Sequence, residues 1–130
     1  MWNLSATTQS STSNGIIYGG TNQSNTGNGL VAFCATKGIT VSHTFRNSPS
    51  FSFFTNCINS GNIAIFHGGI NTSSGRSGHA MAVQGYSTLK KNNTSTTIQT
   101  LMVFDGWNEY VRYLNFNYGY TDTAGNAFSR

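Results

Sequence analysis

Two short stretches hold most of the chemistry this sequence can offer. In "GRSGHAMAVQGY", residues 75–86, His79 follows a small, flexible run and opens an apolar stretch. In "LMVFDGWNEYVRYLNFN", residues 101–117, Asp105 closes a second apolar run and is followed at once by Gly106 and Trp107. Both apolar runs read as β-strands. If they pair antiparallel, the start of the first lies beside the end of the second and the two side chains meet. A carboxylate bonded to one imidazole nitrogen fixes the tautomer and leaves the other nitrogen free as a base. That is two parts of a three-part nucleophilic constellation. Without further context, a histidine and an aspartate at strand ends serve equally as a cap and a structural hydrogen bond.

The elements that must position this pair can be read along the chain. Residues 1–23 form an irregular, glycine-dotted arm with one apolar island, "GIIYGG". Leu30, Val31, Phe33 and Cys34 then cluster at helical spacing, with Ser24, Asn25 and Thr26 as candidate N-caps and Gly38 as a stop. This predicts a helix over 24–36. Its glycines, Gly27 and Gly29, weaken the first turn by roughly 1 kcal/mol each. "ITVSHTF", 39–45, alternates as a half-buried strand, with Ile39, Val41, His43 and Phe45 on one side. Ser48 as N-cap and Pro49 at the first position open a second helix over 49–60, ended by Gly61. Residues 62–67 read as a buried strand, 70–78 as a loop, 79–86 as a strand, and 87–97 as a long polar connection. Further strands are expected over 98–105 and 109–117, and the tail "YGYTDTAGNAFSR" shows no pattern. Helices first and antiparallel strands after them make an α+β domain spanning 1–130.

Only 8% of the residues are charged, where an ordinary soluble domain has about a quarter. Ser, Thr, Asn and Gly fill the gap, a composition suited to a secreted or cell-surface protein. The net charge is +4, but the seven basic residues are scattered. No basic stripe with interleaved aromatics marks a nucleic-acid partner. No apolar run approaches the ~20 residues of a membrane span. The arm lacks the basic and apolar regions of a signal peptide, so a secretion signal would lie upstream. There is no phosphate-binding glycine loop and no Cys or His spacing for a metal, so no cofactor is expected. Two cysteines, Cys34 and Cys57, are too few for a disulfide scaffold. They read as small buried apolar residues, with a bond between them left open. His43 reads as a core histidine. His67 is either structural or part of a cleft wall. Arg76 and Ser77, beside His79, either touch substrate or belong to a solvated loop.

The order of these words is more specific than the pair alone. "GHAMAVQGY", an apolar strand, "DGW" and "NEYVRYLNF" together resemble the C-terminal half of papain-like cysteine peptidases. The nearest branches are bacterial and secreted: streptopain-like, staphopain-like and double-glycine-leader-processing peptidases. The resemblance spans residues 24–117. It implies half of a papain-like fold, with two helices packed on an antiparallel sheet and a peptide or protein substrate. His79 would be the general base and Asp105 its orienting partner. Trp107 would shield their hydrogen bond from water, and Gly78 would keep the approach to the histidine open.

One departure shapes the rest of the reading. The family's nucleophile is a cysteine opening a long helix, where the dipole lowers the thiol pKa, and a glutamine just before it supplies an oxyanion donor. This chain has no such motif. Gln9 and Gln23 have no cysteine in the right relation, and Cys34 and Cys57 fall late in their helices. The expectation is therefore the C-terminal part of a peptidase, inactive alone, completed by an upstream cysteine-bearing segment of the same precursor. An isolated half would expose apolar surface, through which two copies could associate. Two other readings are a non-catalytic surface binding module on a degenerate peptidase fold, and an enzyme that uses Cys34 or Cys57 after all.

Overall fold

The computed structural model describes residues 3–130, so the first two residues of the arm lie outside the description. Ten elements follow in order. Strands β1 (Thr8–Ser13) and β2 (Ile16–Gly20) pair as an exposed hairpin. Then come helix α1 (Gln23–Ala35), strand β3 (Ser42–Asn47) and helix α2 (Phe51–Asn59). Strands β4 (Ile63–Thr72), β5 (Gly75–Lys90), β6 (Thr97–Phe104), β7 (Arg112–Asn115) and β8 (Thr121–Ser129) complete the chain. The larger sheet has the order β3-β8-β4-β5-β6-β7, each strand antiparallel to its neighbours. The class is α+β, with two helices and an antiparallel sheet, as the sequence predicts.

Both helices form near where the periodicity puts them, with different starts. The cap of α1 is Asn22, whose Oδ1 accepts from the Ser24 amide at 3.1 Å, rather than Ser24, Asn25 or Thr26. Helix α2 begins at Phe51 and not at Pro49. Ser48 is left-handed (φ 45°), and its N–H donates to Thr123 O at 2.8 Å, which ties this corner to β8 before the helix can start. Gly38 and Gly61 end the helices as expected.

The sheet is larger than its apolar pattern implies. The stretch expected as a loop, 70–78, is the tip of a β4–β5 hairpin that turns at Ser73–Ser74. Its ladder runs to Thr72↔Gly75 on exposed, polar residues that a burial pattern cannot reveal. Strand β5 continues to Lys90, which shortens the polar connection expected over 87–97. The strand expected over 109–117 is only the four residues of β7, because the chain is still turning at 105–111.

The patternless tail holds β8, which sits between β3 and β4 in the sheet. Helices press on both of its faces, which is why its centre is Ala124, Gly125 and Asn126. A Cβ on Gly125 would stand 2.8 Å from the Phe53 ring of α2. On the other face, a Cβ on Gly27 of α1 would stand 2.4 Å from both Asn126 Oδ1 and His43 Nδ1. Of the two glycines that weaken α1 as an isolated helix, Gly27 is where it touches the sheet and Gly29 is where it touches Ser5 of the arm. Under α2 lies the core: Phe54, Cys57, Ala64, Phe66, Val83, Leu101, Val103 and Leu114. Phe66 meets Phe54, Phe116 and Tyr120 edge-on, an arrangement that adds to burial.

The contact at Gly27 sets a first test. Gly27→Ala should lower the free energy of unfolding by about 1–3 kcal/mol, through overpacking. Alanine's better helix propensity, about 1 kcal/mol, works in the opposite direction. Urea denaturation measures the balance, and a variant as stable as the parent would mean that α1 sits farther from β8.

Candidate functional site

The β5–β6 hairpin brings the two key residues together, as their spacing implies. The last rung is Ala82↔Phe104, and beyond it His79 faces the turn at 105–107. The contact differs in kind from the expected one. His79 Nε2 bonds the main-chain carbonyl of Asp105 at 2.5 Å, not its carboxylate. A carbonyl only accepts, so Nε2 carries the proton and Nδ1 keeps the lone pair of a base.

The Asp105 carboxylate is occupied elsewhere. Oδ1 accepts from the Trp107 and Asn108 amides, each at 2.9 Å, and Oδ2 accepts from Asn108 Nδ2 at 2.6 Å. This is an Asx-type turn closed on three donors, and it passes through Gly106 in the left-handed region (φ 78°). The Trp107 amide bond holds the Asp105 carboxyl below its ordinary range. Burial opposes that shift, while the Asn108 bonds and the Arg112 charge reinforce it.

The turn also places Trp107. Its indole stacks on the His79 ring with centroids 3.8 Å apart and planes 12° from parallel. One face of the imidazole is covered, although the indole itself remains 76% exposed. Gly78 faces open space, with nothing within 4 Å of where a Cβ would stand.

His79 lines a cleft of about 750 Å³. One wall comes from the end of β2 and the first turn of α1 (Gly20, Asn22, Gln23), the other from Gly78, His79 and Ala80 of β5. At the rim Arg76 pairs with Asp122 at 2.8 Å, and Gln23 Nε2 donates to Asp122 O at 2.8 Å. Arg76 is thus an ion-pair member of the cleft rim, whereas Ser77 is simply exposed.

His67 borders the same cleft but is only 5% exposed. Asn126 Nδ2 donates to its Nε2 at 3.1 Å, and also to Gln23 O at 3.1 Å. Both alternatives for His67 hold at once: it is part of the cleft wall and a structural histidine under α1. Burial pushes its pKa down to about 4, so it is neutral at pH 7. His43 is half-buried, with Nε2 2.8 Å from Asn28 Oδ1 and its ring 6.0 Å from that of Phe128.

The cysteines stand apart from this cleft. Both are free thiols. Cys57 is buried in the core and donates to Ile63 O at 3.1 Å, and burial pushes its pKa up. Cys34 lies at the far end of α1 from the cleft, about 16 Å along the axis from Gln23. Among the described residues no group of three or more His, Cys, Asp or Glu is placed to hold a metal.

The sequence pattern gives no role to Asn108, Asn126 and Asp122, and it offers Gln23 only as an oxyanion glutamine without its cysteine. Only Asn108 had a legible signal, since an Asp followed three residues later by Asn around a glycine is turn chemistry. The others come together through β8, which had no pattern to announce it. No protein-family model matches this sequence, and no curated protein matches it.

His67 gives the site a pH dependence of definite sign. Its folded pKa of about 4 lies below the ordinary 6.5. The unfolded chain therefore binds the proton first, and stability falls as pH drops from about 6.5 towards 4. The loss accumulates to about 3 kcal/mol at pH 4, from ~1.4 kcal/mol per pKa unit. Urea titrations between pH 7 and 4 should show this slope in the parent and a clearly shallower one in His67→Gln. Equal slopes would mean that His67 is not the group responsible.

Proposed function

We propose that this chain is the histidine-bearing, C-terminal part of a secreted or cell-surface bacterial cysteine peptidase of the papain-like kind. The observation that carries this reading is the treatment of His79. Its Nε2–H is tied to the Asp105 carbonyl, one ring face is stacked against Trp107, and the residue borders a cleft. A merely structural imidazole does not require all three.

In the proposed reaction a thiol from an upstream segment of the same precursor gives its proton to His79 Nδ1. The thiolate attacks the peptide carbonyl, and the imidazolium returns the proton to the leaving amine. Water, deprotonated by the same nitrogen, then hydrolyses the thioester. On the sheet face opposite α2, Ala80 and Ala82 are exposed beside Phe104, which is 41% exposed. Two copies of the isolated chain could meet there.

A second reading, a non-catalytic surface binding module on a degenerate peptidase fold, is favoured by the exposed aromatics. Trp107, Tyr110, Tyr113 and Tyr118 are between 64% and 76% exposed, and such rings suit recognition without chemistry.

Expression of the complete reading frame separates the two. The peptidase reading expects hydrolysis of a fluorogenic peptide, blocked by a thiol-directed peptidyl inhibitor and reduced about 100-fold or more in kcat by His79→Ala. The 130-residue chain alone should be inactive, with neither Cys34 nor Cys57 labelled by that inhibitor. A well-folded complete product without thiol-dependent hydrolysis would leave the binding module as the better account.

A further inference from the structure

We infer that the main-chain carbonyl of Asp105, and not its carboxylate, orients His79, and that Asn108 is the positioning residue that holds this carbonyl in place. The catalytic meaning of this device rests on the peptidase reading, but its geometry does not.

The carboxylate has no free share to give. Its two oxygens serve three donors within the next three residues, at 2.9, 2.9 and 2.6 Å. Rotating it towards the imidazole would break all three bonds and release the turn that presents the carbonyl. The shortest of the three comes from the Asn108 side chain, which is the one donor a substitution can remove without altering the backbone. The same turn sets the indole through the Trp107 amide. Asn108 thus stands behind both contacts that His79 makes, the 2.5 Å hydrogen bond and the 3.8 Å stack, while touching the imidazole in neither. Gly106 lets the chain reverse between carbonyl and indole.

The test is nitrogen-15 NMR of the histidine rings in the 130-residue chain above neutral pH, where the two nitrogens report the tautomer directly. The parent should show His79 protonated at Nε2 and bare at Nδ1. Asn108→Ala leaves the carboxylate in place, yet should produce a mixed tautomer and lose the ring-current shift that Trp107 imposes on His79. Asp105→Asn keeps the carbonyl and one oxygen acceptor for the two amides; its new NH2 can donate to Asn108 Oδ1 once the Asn108 amide flips, so the side-chain bond persists with its direction reversed and the Nε2–H form should be retained. If the carboxylate were the orienter, Asn108→Ala would leave the tautomer intact and Asp105→Asn would disturb it; that pattern overturns the inference. Amide dispersion confirms that each variant is folded, and Asn108→Asp, which also removes the donor, stands in should Asn108→Ala fail to fold. In the complete reading frame, Asn108→Ala should lower kcat about 10-fold or more with KM little changed, as misplacement of a reacting group does. The tautomer needs no nucleophile. The expected spectra without any hydrolysis would therefore defeat the peptidase reading and leave this inference standing. Hydrolysis with an unaffected Asn108→Ala would do the reverse.

Discussion

The register between β5 and β6 is the constraint on which the site depends. Side chains alternate along a strand, so a slip of one residue would turn His79 to the other face and bring a different part of the turn opposite it. The register is set well away from the site. Val83 and Val103 share a rung, both buried against α2, and Leu101 follows on the same side. A bulge between Val83 and Gly85 changes the phase of the rest of β5, so its long outer half pairs without disturbing the rungs nearest His79. The apolar core thus aims a histidine that lies outside it, at no cost in conformational freedom beyond folding itself.

A second, polar, layer fixes the opposite wall of the cleft. Asn126 is wholly buried and links His67 to the first turn of α1 through one amide nitrogen. Buried polar groups that are bonded specify a single arrangement, because each misplaced partner leaves an unmet donor or acceptor. Part of this layer is strained in that sense. Asn126 Oδ1 and His43 Nδ1 have no hydrogen-bond partner among the described residues, and both converge on Gly27. An unmet buried polar atom costs about 1–3 kcal/mol. The helix that borders the cleft is therefore held by position-specific contacts over a modest apolar area, and protonation of His67 beneath it would loosen them.

What could be read from the sequence follows the same division. The meeting of His79 with Asp105 was legible, since strand pairing is announced by apolar runs and the two residues mark their ends. The atom that makes the contact was not. A carboxylate placed before Gly106, Trp107 and Asn108 can bond a distant imidazole or the amides beside it, and the choice turns on the left-handed conformation at Gly106. The buried strand was legible over 62–67, where Phe66 stands in the core. Strand β8 was hidden because two helices press on it, and small residues in a strand look like a loop. The hairpin tip at 70–78 was hidden for the opposite reason: nothing covers it, so nothing selects an apolar pattern.

An uncharged orienter alters what the rest of the proposed machine must supply. A carboxylate beside an imidazole does two things, fixing the tautomer and stabilising the imidazolium once it forms. The carbonyl of Asp105 does the first fully and the second only through its dipole. The one carboxylate near the ring spends its charge on a turn, and at the cleft rim the Asp122 charge is matched by Arg76. His67 adds no charge near neutral pH. A thiolate–imidazolium pair at this site would then draw its stabilisation mainly from the thiol's side, from the amides and dipole at the start of the helix that carries it. Under the proposed function the division of labour is sharp: this chain would supply geometry, and a segment supplying sulfur would also have to supply the field that ionises it.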